Sequence, residues 1–193
     1  MEKILIKRVE TLRDLKEIKV LQNNNLKNNL SEEEKSVEGF VTAEYSLEFL
    51  QQMHELEASI VAIDTSINGD SSRVVGYILA VPRSIQGHQH RLLDDMMDNI
   101  NQSSYHGTSL NDMNYLLVGQ VCVAKGYRGQ GLLQKMYQYY REALSPRYPC
   151  CITEVDESNQ RSVKAHLKTG FEIIRSTTTP VVTWLFVLWN WRV

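Results

Sequence analysis

The chain has 193 residues, of which 42% are hydrophobic and 23% charged, and its formal net charge is -2. These values are ordinary for a single globular domain over residues 1–193 that is long enough to bury a substantial core. The small net charge gives no reason to expect a nucleic-acid or membrane partner, and no apolar run reaches the ~18 residues that a membrane span needs. Because the N-terminal residues also lack the apolar region of a signal peptide, we expect a cytoplasmic protein.

The first half of the chain predicts a strand, two helices and a hairpin. Ile4–Val9 alternates as a strand does, and Thr11 is the expected N-cap of a helix with apolar residues at helical spacing. A Gly-containing loop leads to a second helix that begins near Leu47. Ser59–Asp64 and Val74–Val81 are strand-like runs separated by turn-forming residues, which predicts a hairpin.

The connection Arg83–Met113 is too long for a structureless loop in a compact domain, and Leu92–Ile100 within it has the spacing of a short amphipathic helix. The elements predicted after it are, in order, the strand Tyr115–Val123, the helix Leu132–Leu144, the strand Cys150–Val155, the helix Asn159–Thr169 and the strands Phe171–Arg175 and Val181–Leu188. Strands on both sides of the helix Leu132–Leu144 imply a parallel crossover. We therefore predict an α/β (α+β) fold with a mixed, mostly antiparallel central sheet of about six or seven strands, flanked by helices.

The cysteines and two of the histidines give no sign of a metal site or a disulfide framework. Cys122, Cys150 and Cys151 are odd in number, and we interpret them as reduced thiols packed in strands. His88 and His90 have no third ligand at a useful spacing, so a polar loop is predicted there and no metal.

The glycine-rich turn at residues 126–131 is suited to contact a ligand through its backbone. Gly129 and Gly131 allow a ligand to approach the backbone and expose N–H groups where a helix begins, and Arg128 adds a positive charge. With the positive end of the helix dipole these donors suit a pyrophosphate. The residues of a P-loop and the third glycine of a dinucleotide fingerprint are missing. From the residues alone, a phosphate-binding helix N-terminus and a tight structural turn both stay open.

Two segments resemble motifs of the GNAT superfamily of acyl-CoA-dependent N-acyltransferases. The stretch Arg128-Gly129-Gln130-Gly131-Leu132-Leu133 is similar to the coenzyme motif [QR]-x-x-G-x-[GA], with Leu133 where Gly or Ala is usual. Downstream, Asn159–Phe171 is similar to the segment N-x-x-[AS]-x-x-x-[YH]-x-x-x-GF. Both motifs stand in the family's order, and the order of strands and helices upstream fits as well, so the resemblance covers nearly the whole chain.

The resemblance implies acetyl-CoA as co-substrate and a division of roles among the coenzyme-binding residues. The strand end would serve the pantetheine arm and thioester carbonyl, the turn would wrap the pyrophosphate through main-chain amides, and the asparagine would bind the pantetheine side. The residues so assigned are Val121, Cys122, Val123, Arg128, Gly129, Gln130, Gly131, Leu132, Leu133, Asn159 and His166.

The catalytic groups are less defined. His166 stands where many members carry a tyrosine that protonates the leaving thiolate, and its pKa near neutrality would suit that role; packing against CoA or the core is the alternative. Glu154 and Asp156 lie near the expected acceptor and are candidate bases, although surface carboxylates are common. Gln120 could orient a water or the acceptor, and a water relay would need no carboxylate.

The predicted function is an N-acetyltransferase that transfers an acetyl group from acetyl-CoA to a primary amine of a small molecule or protein by direct attack on the thioester. A catalytically idle acyl-CoA-binding or sensing module on the same fold is the alternative, and a nucleotide-binding protein is a third class. The acceptor region is expected at Glu38–Ser46 and Arg175–Val182. Trp184, Trp189 and Trp191 are expected in the core or at a dimer contact, which leaves a homodimer open.

Overall fold

The computed structural model describes residues 3–67, 73–87 and 90–192. Their strands are β1 (Ile4–Arg8), β2 (Ile60–Asp64), β3 (Val74–Pro82), β4 (Ser104–Tyr105), β5 (Thr108–Ser109), β6 (Leu116–Val123), β7 (Cys150–Asp156), β8 (Glu172–Thr178) and β9 (Thr183–Asn190). Their α-helices are α1 (Leu12–Asn23), α2 (Glu32–Glu38), α3 (Leu47–Leu56), α4 (Arg91–Asn101), α5 (Leu132–Leu144) and α6 (Gln160–Thr169).

Seven strands form one sheet in the order β1-β2-β3-β6-β7-β9-β8. Every neighbouring pair is antiparallel except β6 and β7, which are parallel and joined by α5. The mixed sheet and the parallel crossover confirm the predicted fold class. The remaining strands, β4 and β5, pair as a small separate hairpin.

The sheet is covered on both faces, and each face has its own apolar core. One core joins α1, α3 and α4 to the sheet through side chains such as Ile18, Leu50 and Met97. The other joins α5 and α6 to it, with Tyr137 and Val163 among its members. Every residue of β3 is buried, as expected of a strand between two layers.

The helix ends agree with the sequence signals in two places. Thr11 caps α1 by accepting a hydrogen bond from the N–H of Asp14, whose carboxylate accepts in return from the Thr11 N–H. Gly170 ends α6 with a φ of +113°, the left-handed conformation that favours glycine. A Cβ at Gly170 would lie 2.9 Å from Nε1 of Trp189, so close packing also requires glycine there.

One helix has no counterpart in the sequence predictions, and two predicted strands have different bounds. The helix α2 was not predicted, because its charged sequence has no apolar stripe; the available signal was the capping box of Ser31 and Glu34. The last two strands begin and end later than Phe171–Arg175 and Val181–Leu188, since the polar residues up to Thr178 continue as an edge strand.

The helix predicted inside Arg83–Met113 is confirmed as α4, and the three cysteines are free and buried. His88 lies outside the described residues. None of the described helices is long and apolar enough to cross a membrane.

Candidate functional site

The site begins where β6 and β7 part. Their parallel pairing covers Leu116 with Cys151 and Leu117 with Ile152, and Thr153 then donates a side-chain hydrogen bond to the Val118 carbonyl. Beyond this point β6 continues to Val123 and β7 to Asp156, but the two strands no longer pair with each other. Strands that part leave backbone groups for a ligand to bind, and a cavity lies on each side of the gap.

The larger cavity has a volume of about 340 Å³ and lies between the end of β6 and the first turns of α5 and α6. Gly129 and Gly131 line it, each with a φ of +75°, and Gly131 is the N-cap of α5. A Cβ on either glycine would meet nothing within 4 Å. Glycine is therefore favoured here by the positive φ and not by a lack of space. The first N–H groups of α5 therefore open onto a cavity, which is the arrangement that binds phosphate.

Arg128 holds this turn in place from inside. Its guanidinium donates to the carbonyls of Val123 (2.7 Å) and Glu38 (2.9 Å), to the Glu38 carboxylate, and to Oδ1 of Asn25. The positive charge that we expected at the rim of the phosphate site is therefore already hydrogen-bonded within the protein. Arg128 thus fixes the end of α2 against the turn, and the backbone donors are left to bind an anion.

Asn159 is the N-cap of α6 and also holds the segment that follows α2. Its Oδ1 accepts from the N–H of Ser162 at 3.3 Å, and its Nδ2 donates to the carbonyl of Phe40 at 2.9 Å. Gly39 packs against it so closely that a Cβ there would lie 2.9 Å from Oδ1. One N–H of the amide remains for a ligand in the cavity.

The outer wall of the larger cavity is basic. Arg161, Lys164 and Lys168 line it at helical spacing along α6, and Arg161 also pairs with Glu38 at 3.3 Å. This wall was missed in the sequence, although the i, i+3 and i+7 spacing of the cations was visible.

Most of the residues assigned to the coenzyme meet at the larger cavity. Two do not line it: the Gln130 side chain donates to the Gly126 carbonyl, and Leu132 is buried in the core. Those that do line it are Val121, Cys122, Val123, Arg128, Gly129, Gly131, Leu133, Asn159 and His166.

His166 lies in the wall shared by both cavities, and both of its ring nitrogens are already hydrogen-bonded. Its Nδ1 lies 2.8 Å from the Ser162 carbonyl, which can only accept, so Nδ1 carries the hydrogen. Its Nε2 then accepts from the Tyr137 hydroxyl, also at 2.8 Å. Burial lowers the pKa of His166 to about 4, against a smaller opposing effect of the Ser162 hydrogen bond. The Nδ1–H tautomer and the lowered pKa differ from the near-neutral imidazole that we expected, and they favour a neutral ring in the cavity wall over a proton donor.

The smaller cavity, of about 80 Å³, lies on the other side of the gap, between β6, β7, α4 and the segment before α3. Glu154 projects from β7 into its lining, and its carboxylate forms no hydrogen bond or ion pair with the described residues. Burial raises the pKa of Glu154 to about 7, and the negative charge of Asp95 adds to this effect. A carboxyl group that exchanges its proton near neutral pH is suited to act as a general base.

Asp156, the second candidate base, is already engaged. Its carboxylate accepts from Lys27 at 2.9 Å and from the N–H and hydroxyl of Ser158. These contacts leave Glu154 as the carboxylate free to take up a proton.

A buried polar network holds the wall opposite Glu154. Gln120 donates to the Ala43 carbonyl at 2.7 Å and accepts from Gln22 and from the Tyr77 hydroxyl. The Tyr45 hydroxyl donates to the Gly119 carbonyl at 3.0 Å. Gln120 is thus a fixed part of the wall that orders the segment before α3 on β6.

Of the two segments from which we expected an acceptor pocket, one lines the smaller cavity. Residues 40–43 and Tyr45 line it, whereas none of the residues in Arg175–Val182 does. From the last hairpin, Trp184 lines it instead, so this tryptophan is a pocket residue. Trp189 and Trp191 lie in the aromatic part of the core with Tyr137 and Phe171, as expected.

A sequence model of the Acetyltransferase (GNAT) family matches residues 26–171. The chain belongs to this family. The matched span contains both cavities' central strands, the glycine turn and α6. No curated protein matches the chain.

Solved structures of GNAT proteins share the fold over nearly the whole chain. The chain of the NatC complex bound to Gag peptide and CoA aligns with a TM-score of 0.64 at 14% identity, covering 97% of this chain and 98% of that one. NAA60 of Arabidopsis thaliana in complex with acetyl-CoA gives 0.62 at 14% identity, with 97% and 99% covered. A GNAT acetyltransferase of Streptococcus agalactiae gives 0.63 at 14% identity, with 98% and 96% covered. At these identities the likeness shows the acetyltransferase fold.

Proposed function

We propose that the protein is an N-acetyltransferase that transfers the acetyl group of acetyl-CoA to a primary amine. The observation that carries this is the gap between β6 and β7, where a phosphate-suited cavity on one side and a cavity containing Glu154 on the other share Val121, Asn159 and His166. Acetyl-CoA supplies an acetyl thioester, whose carbonyl carbon accepts the amine nitrogen and whose C–S bond breaks. Two of the structures with this fold contain CoA or acetyl-CoA, which supports the larger cavity as the coenzyme site.

On the donor side, the chain binds and orients. The N–H groups at Gly129–Leu133 would hold the pyrophosphate, and Lys164 and Lys168 would attract its remaining negative charge. The parted end of β6, Val121–Val123, would lie along the pantetheine arm. Arg128 contributes by holding the turn rigid, which improves preorganisation of the donors.

On the acceptor side, Glu154 moves the proton. An amine enters as an ammonium ion and must lose one proton before its lone pair can attack. A carboxylate with a pKa of about 7 is ionised above neutral pH and is a stronger base than an ordinary carboxylate, so it can take that proton. Attack of the neutral amine gives a tetrahedral intermediate whose nitrogen has one more proton to lose. As the C–S bond breaks, this proton passes to the departing sulfur, so that CoA leaves as the thiol and the product is a neutral amide.

Direct transfer is favoured over an acyl-enzyme. Cys122 is the cysteine that lines the larger cavity, and burial raises its pKa to about 12, with Arg128 opposing the shift only in part. The thiolate that would be needed as a nucleophile is therefore scarce at neutral pH.

The test combines binding with turnover. Thermal shift should show stabilisation by acetyl-CoA and CoA but not by ATP, because only a ligand of the folded state raises stability. Thiol release with a panel of amines should then be dependent on the amine. Binding of CoA without release for every amine would support an acyl-CoA-binding module instead, and no response to CoA would overturn both.

A further inference from the structure

The smaller cavity owes its shape to α4, the helix within the long connection between β3 and β6. Leu92, Leu93 and Met96 of α4 form one side of the cavity, facing the β7 residues Glu154 and Val155. The connection is therefore part of the acceptor site, on the proposal that this cavity receives the amine.

This wall is fixed at both ends. At the C-terminal end of α4, Arg175 donates to the Asn99 carbonyl (3.1 Å) and to the Ser103 hydroxyl (3.0 Å). At the N-terminal end, the His90 ring stacks on Phe49 with centroids 5.0 Å apart and contacts Tyr45 at 4.7 Å. A wall held in this way presents a defined surface to a substrate.

Two carboxylates line the cavity, Glu154 and Asp156, and no lysine or arginine does among the residues that the structure describes. Asp156 is paired with Lys27 at 2.9 Å, so the charge of each compensates the other. Glu154 is therefore the acidic group of the lining without a cation beside it.

Part of the lining is apolar. It comes from the aromatic rings of Phe40 and Trp184 and the side chains of Val41, Leu92 and Met96. An apolar group that enters is removed from water, which favours binding.

We propose that the acceptor is a primary amine that bears an apolar side chain and has no carboxylate beside the amine. The positive ammonium group is attracted to Glu154, and the side chain packs on the apolar wall of α4. A carboxylate on the neighbouring carbon would lie near Glu154 without a cation to bind it, since Lys27 already binds Asp156, and this is unfavourable. Free amines, amino-acid amides and the N-terminus of a peptide share this chemistry, whereas free amino acids do not. This inference rests on the proposed acetyltransferase activity.

The experiment measures kcat/KM for matched acceptors by thiol release. Tyramine is compared with tyrosine, and leucinamide with leucine and with glycinamide; a peptide beginning with leucine distinguishes an N-terminus from a small amine. We expect the carboxylate-free member of each pair to be favoured by about 10-fold or more, and leucinamide over glycinamide by about 10-fold.

A variant pair checks the cause. Leu92→Lys places a cation on the cavity wall and should raise kcat/KM for leucine and tyrosine. The ratios of leucinamide to leucine and of tyramine to tyrosine should therefore fall. Asp98→Asn changes the net charge equally but lies on α4 outside the lining, and it should leave the ratios as they are. Equal use of amino acids and their amides by the unaltered protein would overturn the inference while leaving acetyl transfer intact. Thiol release with none of the amines, despite acetyl-CoA binding, would overturn the activity as well.

Discussion

The Tyr137 hydroxyl donates a hydrogen bond to Nε2 of His166, and the two atoms lie 2.8 Å apart in the buried wall between α5 and α6. On its other side the ring donates from Nδ1 to the Ser162 carbonyl. Both nitrogens are therefore occupied, and the hydrogen sits on the nitrogen that points away from Tyr137. The histidine of the second motif thus links α6 to α5 through the Tyr137 hydroxyl.

His166 should stay neutral over the pH range in which the protein is active. Because burial lowers its pKa to about 4, its ring should not titrate between pH 5 and 9. Long-range ¹H–¹⁵N NMR of histidine-labelled protein should show the Nδ1–H tautomer throughout. A titration of this ring near pH 6.5 would contradict the assignment and restore it as a proton donor.

Replacing Tyr137 with phenylalanine should destabilise the fold without changing the pH dependence of activity. Tyr137→Phe leaves a buried acceptor, Nε2 of His166, without its donor, which costs about 1–3 kcal/mol of unfolding free energy. Urea titration measures the loss. Tyr139→Phe is the matched control, since the Tyr139 hydroxyl has no hydrogen bond to the described residues. Equal stability of the two variants would show that the Tyr137 hydrogen bond contributes nothing.

Glu154 should set the acidic limb of the pH–rate profile. As the base, it acts only when ionised, so kcat/KM should rise with pH and level off above its pKa of about 7. Glu154→Gln should lower kcat/KM at pH 8 by about 10²-fold and abolish this limb. Affinity for acetyl-CoA, measured by calorimetry, should not change, because Glu154 does not line the larger cavity. Persistence of the limb in the variant would assign it to another group.

The same substitution should stabilise the protein at alkaline pH. The pKa of Glu154 is raised in the folded state, so the folded chain holds its proton more tightly and stability falls as pH rises from about 4.5 to about 7. Glu154→Gln removes this loss. Its unfolding free energy should equal that of the parent near pH 4 and exceed it by about 2 kcal/mol above pH 7, after allowance for partial exposure.

A melting-temperature series from pH 4 to pH 9 measures this, and a gain of roughly 5 °C is expected at the alkaline end. Glu157→Gln, at an exposed glutamate, is the control. A gain that does not depend on pH would show that Glu154 is not desolvated.

The donor half of the site could be predicted because its determinants are local in sequence. A strand, two glycines and a helix follow one another within Val121–Leu144, and the N-cap Asn159 stands at the head of its own helix. Here a short stretch determines both the backbone conformation and the cavity it lines. The role of Arg128 could not be predicted, since its partners Asn25 and Glu38 come from distant parts of the chain.

The acceptor half depends on contacts between distant segments. The raised pKa of Glu154 results from burial beneath α4 and from Asp95, and no spacing in the sequence places these residues opposite β7. The sequence therefore leaves Glu154, Asp156 and His166 as candidates for the proton-exchanging group. Their hydrogen bonds distinguish them: Asp156 and His166 are engaged, and the Glu154 carboxylate has no partner among the described residues, which favours Glu154 as the proposed base.

Coenzyme binding should require glycine at position 131 because of its left-handed backbone conformation, and not because a side chain there would clash. Gly131 has a φ of +75°, and a Cβ there would touch nothing, so Gly131→Ala should lower the unfolding free energy by about 1–2 kcal/mol through backbone strain. If the turn relaxes instead, the N–H groups of α5 turn away from the cavity. We expect this relaxation in the free protein, so binding must restore the strained turn and the Kd for CoA should rise several-fold.

Gly126→Ala is the matched control for this prediction. Gly126 lies in the same turn, has equally open space around its Cβ position, and does not have a positive φ. Isothermal titration calorimetry with CoA and chemical denaturation of both variants separate the two effects. Loss of CoA affinity in both variants would indicate that any substituent in the turn blocks the coenzyme. Unchanged affinity in Gly131→Ala without a loss of unfolding free energy would show that a relaxed turn still binds CoA, and that the N-cap conformation does not position the phosphate donors.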